Sequence, residues 1–312
     1  MYLDYYQLAQ KPFQINTDPA FLWFGEKHKE ALATLKYGVL DNKSFLLLTG
    51  EVGVGKTTII NALLQILDEN DLAVTVQDPG FDRMDFFNYI AESFGLSEDF
   101  QTKRTFWVSF GKFLLKCYYQ GRRVLLIIDE CQLLAPELLE EIRLLSNLEK
   151  NGAKLINIFL VGQLEFNDVL LRPENNAIRQ RITVNYNIPP LTYPETEQYI
   201  EYRLNAAGAG RKIFKKNAIR EIFRYSKGYP RLINIIADRA MLTGYINSAK
   251  YIKKKTVREC ARELEITSAD AAARKQQKQS AGLFNATPGF YKWGYVFFPA
   301  LVLVVIYILY LN

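Results

Sequence analysis

Apolar positions fall along this chain in two patterns. Residues 44–49 form a short apolar run, 123–128 and 155–161 are continuous apolar stretches, 72–77 alternates with β-branched residues, and 182–188 is a fifth such segment. Each reads as a strand. Residues 26–39, 57–67, 86–94, 105–119 and 136–148 have helical character, the last with Pro136 near its start. Strand alternating with helix predicts an α/β fold with a parallel sheet covered on both faces.

After Pro189-Pro190 the pattern changes. Residues 192–207, 216–225 and 230–246 all read as helices, punctuated by Gly208, Gly210 and Gly228, and an amphipathic piece follows at 256–266. Residues 267–288 are rich in Ala, Gln, Lys and Ser, have no apolar period and read as a linker, with helical tendency at 270–279. The expected organisation is an α/β core at 1–190, a small helical domain at 191–266, a basic linker at 267–292 and a terminal apolar segment at 293–311. No internal repeat is visible.

That last segment is 19 residues without a charge. About 20 apolar residues span a bilayer as a helix. Trp293, Tyr295, Phe297 and Phe298 crowd its entry side and Tyr310 its far end, as an interfacial belt does. Pro299 is a kink that membrane helices tolerate. A buried core helix is the alternative, disfavoured because nothing polar interrupts the run. Charge adds to the picture. The chain has 39 basic and 33 acidic residues, and the whole excess of +6 falls in residues 250–292. The positive-inside rule then expects a single-pass protein of the inner (cytoplasmic) membrane with its bulk in the cytoplasm, and the same charges suit anionic lipid. The start of the chain has no basic, apolar leader. Cys117, Cys131 and Cys260 show no metal-ligand spacing, and His28, the only histidine, is expected to pack or lie at the surface.

The strongest chemical signal follows the first strand. Gly50, Glu51, Val52, Gly53, Val54, Gly55, Lys56 and Thr57 match G-x-x-x-x-G-K-[ST] between a strand and a helix, and Thr58 extends it. The glycines let backbone N–H groups turn around phosphate oxygens, and the helix N-terminus adds partial positive charge. Lys56 is expected on the β- and γ-phosphates and the Thr57 hydroxyl on Mg2+. The strand at 123–128 ends in Asp129-Glu130. Asp129 is expected to hold the magnesium through water, and Glu130 to orient and deprotonate an attacking water. This pairing favours an ATPase over a GTPase.

Four further residues are candidates. Gln163 follows the fourth strand and is placed to sense phosphate state. Arg179 and Arg181, before the fifth strand, are candidate arginine fingers toward a neighbouring subunit, with Arg181 preferred. Arg231 lies in the first turn of a helix, where the macrodipole disfavours a cation, which suggests an anionic partner. Aromatics around Phe13, Phe21, Trp23 and Phe24 suit either adenine or core packing.

These blocks resemble the AAA+ ATPases of the general secretion pathway protein A family. The likeness rests on Met1 to Tyr6 with Pro12-Phe13, Asp18-Pro19 and Phe21-Leu22, on residues 48–58, 139–149, 161–163 and 179–182, and on Gly228 to Asn234, over about residues 1–265. It implies an AAA+ P-loop core, a helical lid and a C-terminal transmembrane helix. It also implies ATP and Mg2+ as cofactors, a homo-oligomer with a ring expected, and a membrane protein of a secretion, pilus or polysaccharide-export machine as partner. In that family a span often leads to a periplasmic peptidoglycan-binding domain; none follows Leu311 here, so a membrane partner is expected to take that role. Cys131 stands where the family usually has Ala, with little effect expected on hydrolysis. The alternative function is a DNA-acting regulator of transposition or initiator type. Nucleic acid is not favoured, because residues 1–249 carry 29 basic and 29 acidic residues and offer no net excess. A slow ATP-hydrolysing signalling switch is the third reading.

Overall fold

A computed structural model describes residues 1–15 and 18–265. In chain order, α1 (Tyr2–Tyr6) and a 3-10 turn (Pro19–Phe21) precede α2 (Glu26–Leu40). Then come β1 (Phe45–Gly50), α3 (Lys56–Gln65), β2 (Leu72–Val76), α4 (Arg83–Ser93), α5 (Lys103–Tyr119) and β3 (Val124–Ile128). They are followed by α6 (Pro136–Leu145), β4 (Glu149–Lys150), β5 (Ala153–Lys154), β6 (Asn157–Gly162), α7 (Glu165–Leu171), α8 (Asn176–Arg179) and β7 (Ile182–Ile188). Four helices complete the described chain: α9 (Tyr193–Ala206), α10 (Lys216–Ser226), α11 (Pro230–Ile246) and α12 (Lys254–Glu263).

The main sheet is parallel throughout, in the order β2-β3-β6-β1-β7. Both faces are covered, and the period of two along each strand divides the core. Phe45, Leu47, Leu126, Ile128, Ile158 and Leu160 pack with α4, α5 and α6 on one face. Leu46, Leu48, Leu125, Ile127, Phe159 and Val161 pack with α2 and α3 on the other. Each such side chain contributes roughly 1.5–3 kcal/mol by burial. On the first face Phe87, Phe106 and Phe110 stack, with ring centroids 4.2 and 5.1 Å apart.

Most helix ends shift by one to three residues, and two boundaries around the hairpin differ for clear local reasons. The helix expected over 136–148 stops at Leu145, because Ser146 turns back to bond the Arg143 carbonyl at 2.7 Å. The chain then makes the β4–β5 hairpin around Asn151-Gly152, both at positive φ. The strand expected from 155 starts at Asn157, since the Leu155 N–H closes that hairpin on Leu148. The buried Asn157 amide is satisfied by the Lys43 carbonyl at 2.7 Å.

The helical part is held by α9–α12 and by the start of the chain. Thr192 and Glu195 form a capping box that starts α9. Residues 1–15 lie against these helices: Tyr2 hydrogen-bonds Asp238 of α11, and the Ala9 N–H donates to the Ala207 carbonyl. Arg203 of α9 donates to the carbonyls of Pro12 and Gln14 and to the Tyr199 hydroxyl. The three cysteines are buried and free. The expected linker at 267–292, its helical tendency at 270–279 and the expected span at 293–311 lie outside the described residues. Among the described residues no helix is long and apolar enough to cross a membrane.

Candidate nucleotide-binding site

The order of strands decides what meets at the sheet's C-terminal edge. β1 delivers the loop 50–57, β3 delivers Asp129-Glu130, and β6 runs between them and delivers Gln163. Three segments far apart in sequence therefore open at one place, where open α/β sheets bind ligands.

The loop wraps into the start of α3. Val54 is fully buried beneath it and anchors it. Gly53 has φ +82°, and a Cβ there would lie 2.7 Å from Cβ of Arg231. No other residue type fits both that backbone and that approach. Lys56 folds across the loop, its ammonium donating to the Gly50 carbonyl at 2.8 Å and the Glu51 carbonyl at 3.2 Å. Burial lowers its pKa, with Glu130 and Asp129 pulling the other way. Thr57 and Thr58, in the first turn of α3, are the loop's hydroxyls.

Thr57 and Asp129 are neighbours, and the hydroxyl favours the charged carboxylate. A hydroxyl and a carboxylate are the hard oxygen donors that suit Mg2+, so the residues fit the expected ion. Burial raises the Asp129 pKa and the Glu130 charge adds to that, while the Glu130 N–H, Lys56 and Thr57 oppose it. Glu130 sits at φ +50°, with its own N–H on the Asp129 carboxylate at 2.9 Å. Its Oε2 accepts from Gln132 at 2.5 Å and Gln163 at 3.3 Å. The Gln132 Oε1 in turn accepts the Gln163 backbone N–H at 3.0 Å. This triangle locks Glu130 through one oxygen. Gly162 belongs to it as well, since a Cβ there would lie 2.5 Å from the Cys131 sulfur. Burial pushes the Cys131 thiol well up, so it stays protonated and inert.

α11 closes the site from the other side. The Arg231 N–H donates to the Gly53 carbonyl at 3.3 Å, so the first turn of this helix rests on the loop. Arg231 and Asn234, one turn apart, line the same cleft as Lys56, Thr57 and Glu130. A second hollow opens alongside, bounded by Phe21, Leu22, Trp23, His28, Gly55 and Tyr199. The aromatic lead-in is thus partly core, as the burial of Phe13 and Phe21 shows, and partly cleft wall. His28 is buried, and its Nε2 donates to the Val54 carbonyl at 2.9 Å. Burial lowers its pKa, so the ring is neutral.

Arg179 and Arg181 lie elsewhere. Ile182 pairs with Phe45 at the start of β1, whereas Gly50 pairs with Ile188. Both arginines therefore stand at the N-terminal edge of the sheet, about 20 Å of strand from the loop of their own chain. Arg181 is half-buried and donates to the Arg143 carbonyl and Ser146 hydroxyl, each at 3.1 Å; Arg179 is exposed. Residues that sequence reasoning missed are Gln132, His28 as a support of the loop, and Tyr199, Arg203 and Asn234 of the helical part. Gln132 carried a signal: it is the one polar residue between Cys131 and Ala135. Asn234 carried another, three residues past Arg231 on the same helix face.

Comparison with known proteins agrees with this geometry. The family described as AAA domain matches residues 39–170. General secretion pathway protein A of Aeromonas hydrophila is 34% identical over 304 residues, which is 96% of this chain and 54% of that protein. The chain thus spans about half the length of that relative. Among solved structures, the Aeropyrum pernix ORC2 protein in ADPNP-ADP complexes superimposes with a TM-score of 0.64 at 17% identity, over 83% of this chain and 72% of the other. Cdc6p from Pyrobaculum aerophilum gives 0.61 at 17% identity, over 79% and 70%. Drosophila ORC bound to DNA gives 0.62 at 17%, over 86% and 68%. At such identities the structures speak for the fold alone. Matched domain, relative and fold point the same way: the chain belongs to the AAA+ P-loop NTPases, in the branch of general secretion pathway protein A.

Proposed function

We propose that this chain is an oligomeric ATPase, anchored in the inner membrane through residues 293–311, that hydrolyses ATP to assemble or remodel a cell-envelope machine. The observation that carries the enzymatic part is the convergence of Lys56, Thr57, Asp129 and a locked Glu130 at one edge of the sheet. Loop N–H groups and Lys56 bind the phosphates. Thr57 and Asp129 would hold Mg2+, which would supply charge neutralisation at the phosphate oxygens. Glu130 takes a proton from the attacking water. Gln132 and Gln163 fix its orientation, and Gln163 reports whether the γ-phosphate is present. Arg231 and Asn234 bring the helical part onto the same phosphate.

Arg179, in place of the Arg181 preferred from sequence, serves the nucleotide of a neighbouring copy, because both stand at the far edge from their own loop and Arg181 is held by the Arg143 carbonyl and Ser146 hydroxyl. The envelope role rests on the relative's name and on the uncharged run at 293–311. Glu130→Gln tests the enzymatic reading: nucleotide affinity should hold while turnover falls by about 100-fold or more. Turnover within a factor of two of wild type would refute the assignment.

A further inference from the structure

The helical part carries a cationic face that the nucleotide chemistry does not use. Residues 211–216 read RKIFKK and residues 250–255 read KYIKKK, each with four cations and no acid. The fold joins them: Phe214 bridges Ile252 in parallel, the Ile252 N–H donates to Ile213 and the Lys215 N–H to Ile252. The apolar residues of both segments point inward and are buried, which leaves the lysines outside. Lys215 and Lys250 both lie over the Tyr251 ring, at 4.0 and 5.6 Å from its centroid.

Local energetics oppose this arrangement. α10 begins at Lys215-Lys216 and α12 at Lys254-Lys255, so both helices start with cations where their dipoles disfavour them. Buried Glu221 is already shared by Arg224, Lys254 and Arg258, and Lys212 and Lys255 have only distant partners at 3.7 and 3.8 Å. Lys215, Lys216, Lys250 and Lys253 are exposed and have no ion pair among the described residues. A face that concentrates positive charge against two helix dipoles is built for an external polyanion.

We infer that this face of the helical part docks on the anionic surface of a lipid bilayer. Three observations favour lipid over nucleic acid. The face includes the start of α12, the last described helix, and the sequence runs on from it through four cations and one acid at 266–292 to the uncharged residues 293–311. Ile246 is 69% exposed just before Lys250, and Tyr251 stands among the lysines, which is the mixed apolar, aromatic and cationic composition of an interfacial surface. Outside the two segments, residues 1–210 and 217–249 carry 25 basic against 29 acidic residues, so no wider net positive charge extends the face along a nucleic acid backbone. The inference is independent of ATP hydrolysis.

The test is amine labelling of the full chain, read residue by residue by mass spectrometry. It uses vesicles of phosphatidylcholine alone, vesicles with a third phosphatidylglycerol, and, separately, duplex DNA at equal phosphate concentration. Each lysine held near an anionic surface contributes about fivefold to binding. Labelling at Lys215, Lys216, Lys250 and Lys253 should therefore fall by about fivefold or more on the anionic vesicles, relative to exposed Lys29 and Lys36, and return in high salt. It should be unchanged on phosphatidylcholine. Combined Lys215→Glu and Lys253→Glu should abolish the protection of Lys216 and Lys250 while ATP turnover, which reports the fold, stays at the wild-type rate. Equal labelling on both vesicles, protection that survives the double reversal, or equal or stronger protection by DNA would each overturn the inference.

Discussion

Gly53 ties the nucleotide loop to the helical part, and Gly53→Ala measures that tie. Two costs follow from the structure. At φ +82° an L-residue costs roughly 1–2 kcal/mol. The new methyl would also lie 2.7 Å from Cβ of Arg231, a contact that forces α11 off the loop at about 1–3 kcal/mol. Together they should weaken ATP-analogue binding by about 2–5 kcal/mol, or roughly 30-fold to several thousandfold. The two parts separate in a double-mutant cycle. Arg231→Gly removes the facing Cβ, so in that background Gly53→Ala should cost only the backbone part. A coupling energy of about 1–3 kcal/mol is expected from fluorescence titration of the four proteins. Additivity within about 0.5 kcal/mol would show that α11 does not rest on the loop in solution.

Three other outcomes follow. Gln132→Leu breaks the triangle that holds Glu130 and should lower kcat by about tenfold with little change in nucleotide affinity, as steady-state kinetics would show. Arg179→Ala should reduce turnover by about 10³-fold in the assembled oligomer and leave the dilute monomer unaffected, which a rate series over protein concentration checks. Burial holds His28 below its unfolded pKa of about 6.5, so the unfolded chain binds the extra proton first. Wild-type stability should thus fall as pH drops below about 6.5, until His28 also protonates in the fold. Denaturant titrations should find that slope flatter in His28→Gln.

The sequence made the middle of the sheet legible because β1, β3 and β6 are buried along their whole length and read as apolar runs, while the partly exposed β2 and β7 show alternation or β-branched residues instead. The 123–128 run and β3 nearly coincide, and 182–188 and 230–246 match β7 and α11 to the residue. The loop and Asp129-Glu130 were legible because their chemistry needs fixed residues at fixed spacing. What escaped is either too short to show a period or depends on contacts across the chain. The β4–β5 hairpin was signalled by Asn151-Gly152, but strands of two residues are too short to show a period. The start of α4 at Arg83 was marked by Asp82, whose carboxylate caps the Met84 and Asp85 N–H groups. Gln132 acts only because β6 brings Gln163 beside it, and His28 only because α2 packs beneath the loop. Neither relation has a period or a motif.

α11 has a mechanical consequence. Its 17 residues make a stiff rod about 25 Å long, with its first turn on the nucleotide loop and its far end at Ile246, beside the lysine face. A rod pushed at one end works as a lever arm. A tilt of about a tenth of a radian swings the far end by about 2.5 Å, several times the sub-ångström adjustment a loop makes around a phosphate. A displacement of the loop at Gly53 would therefore reach the lysine face through one stiff element.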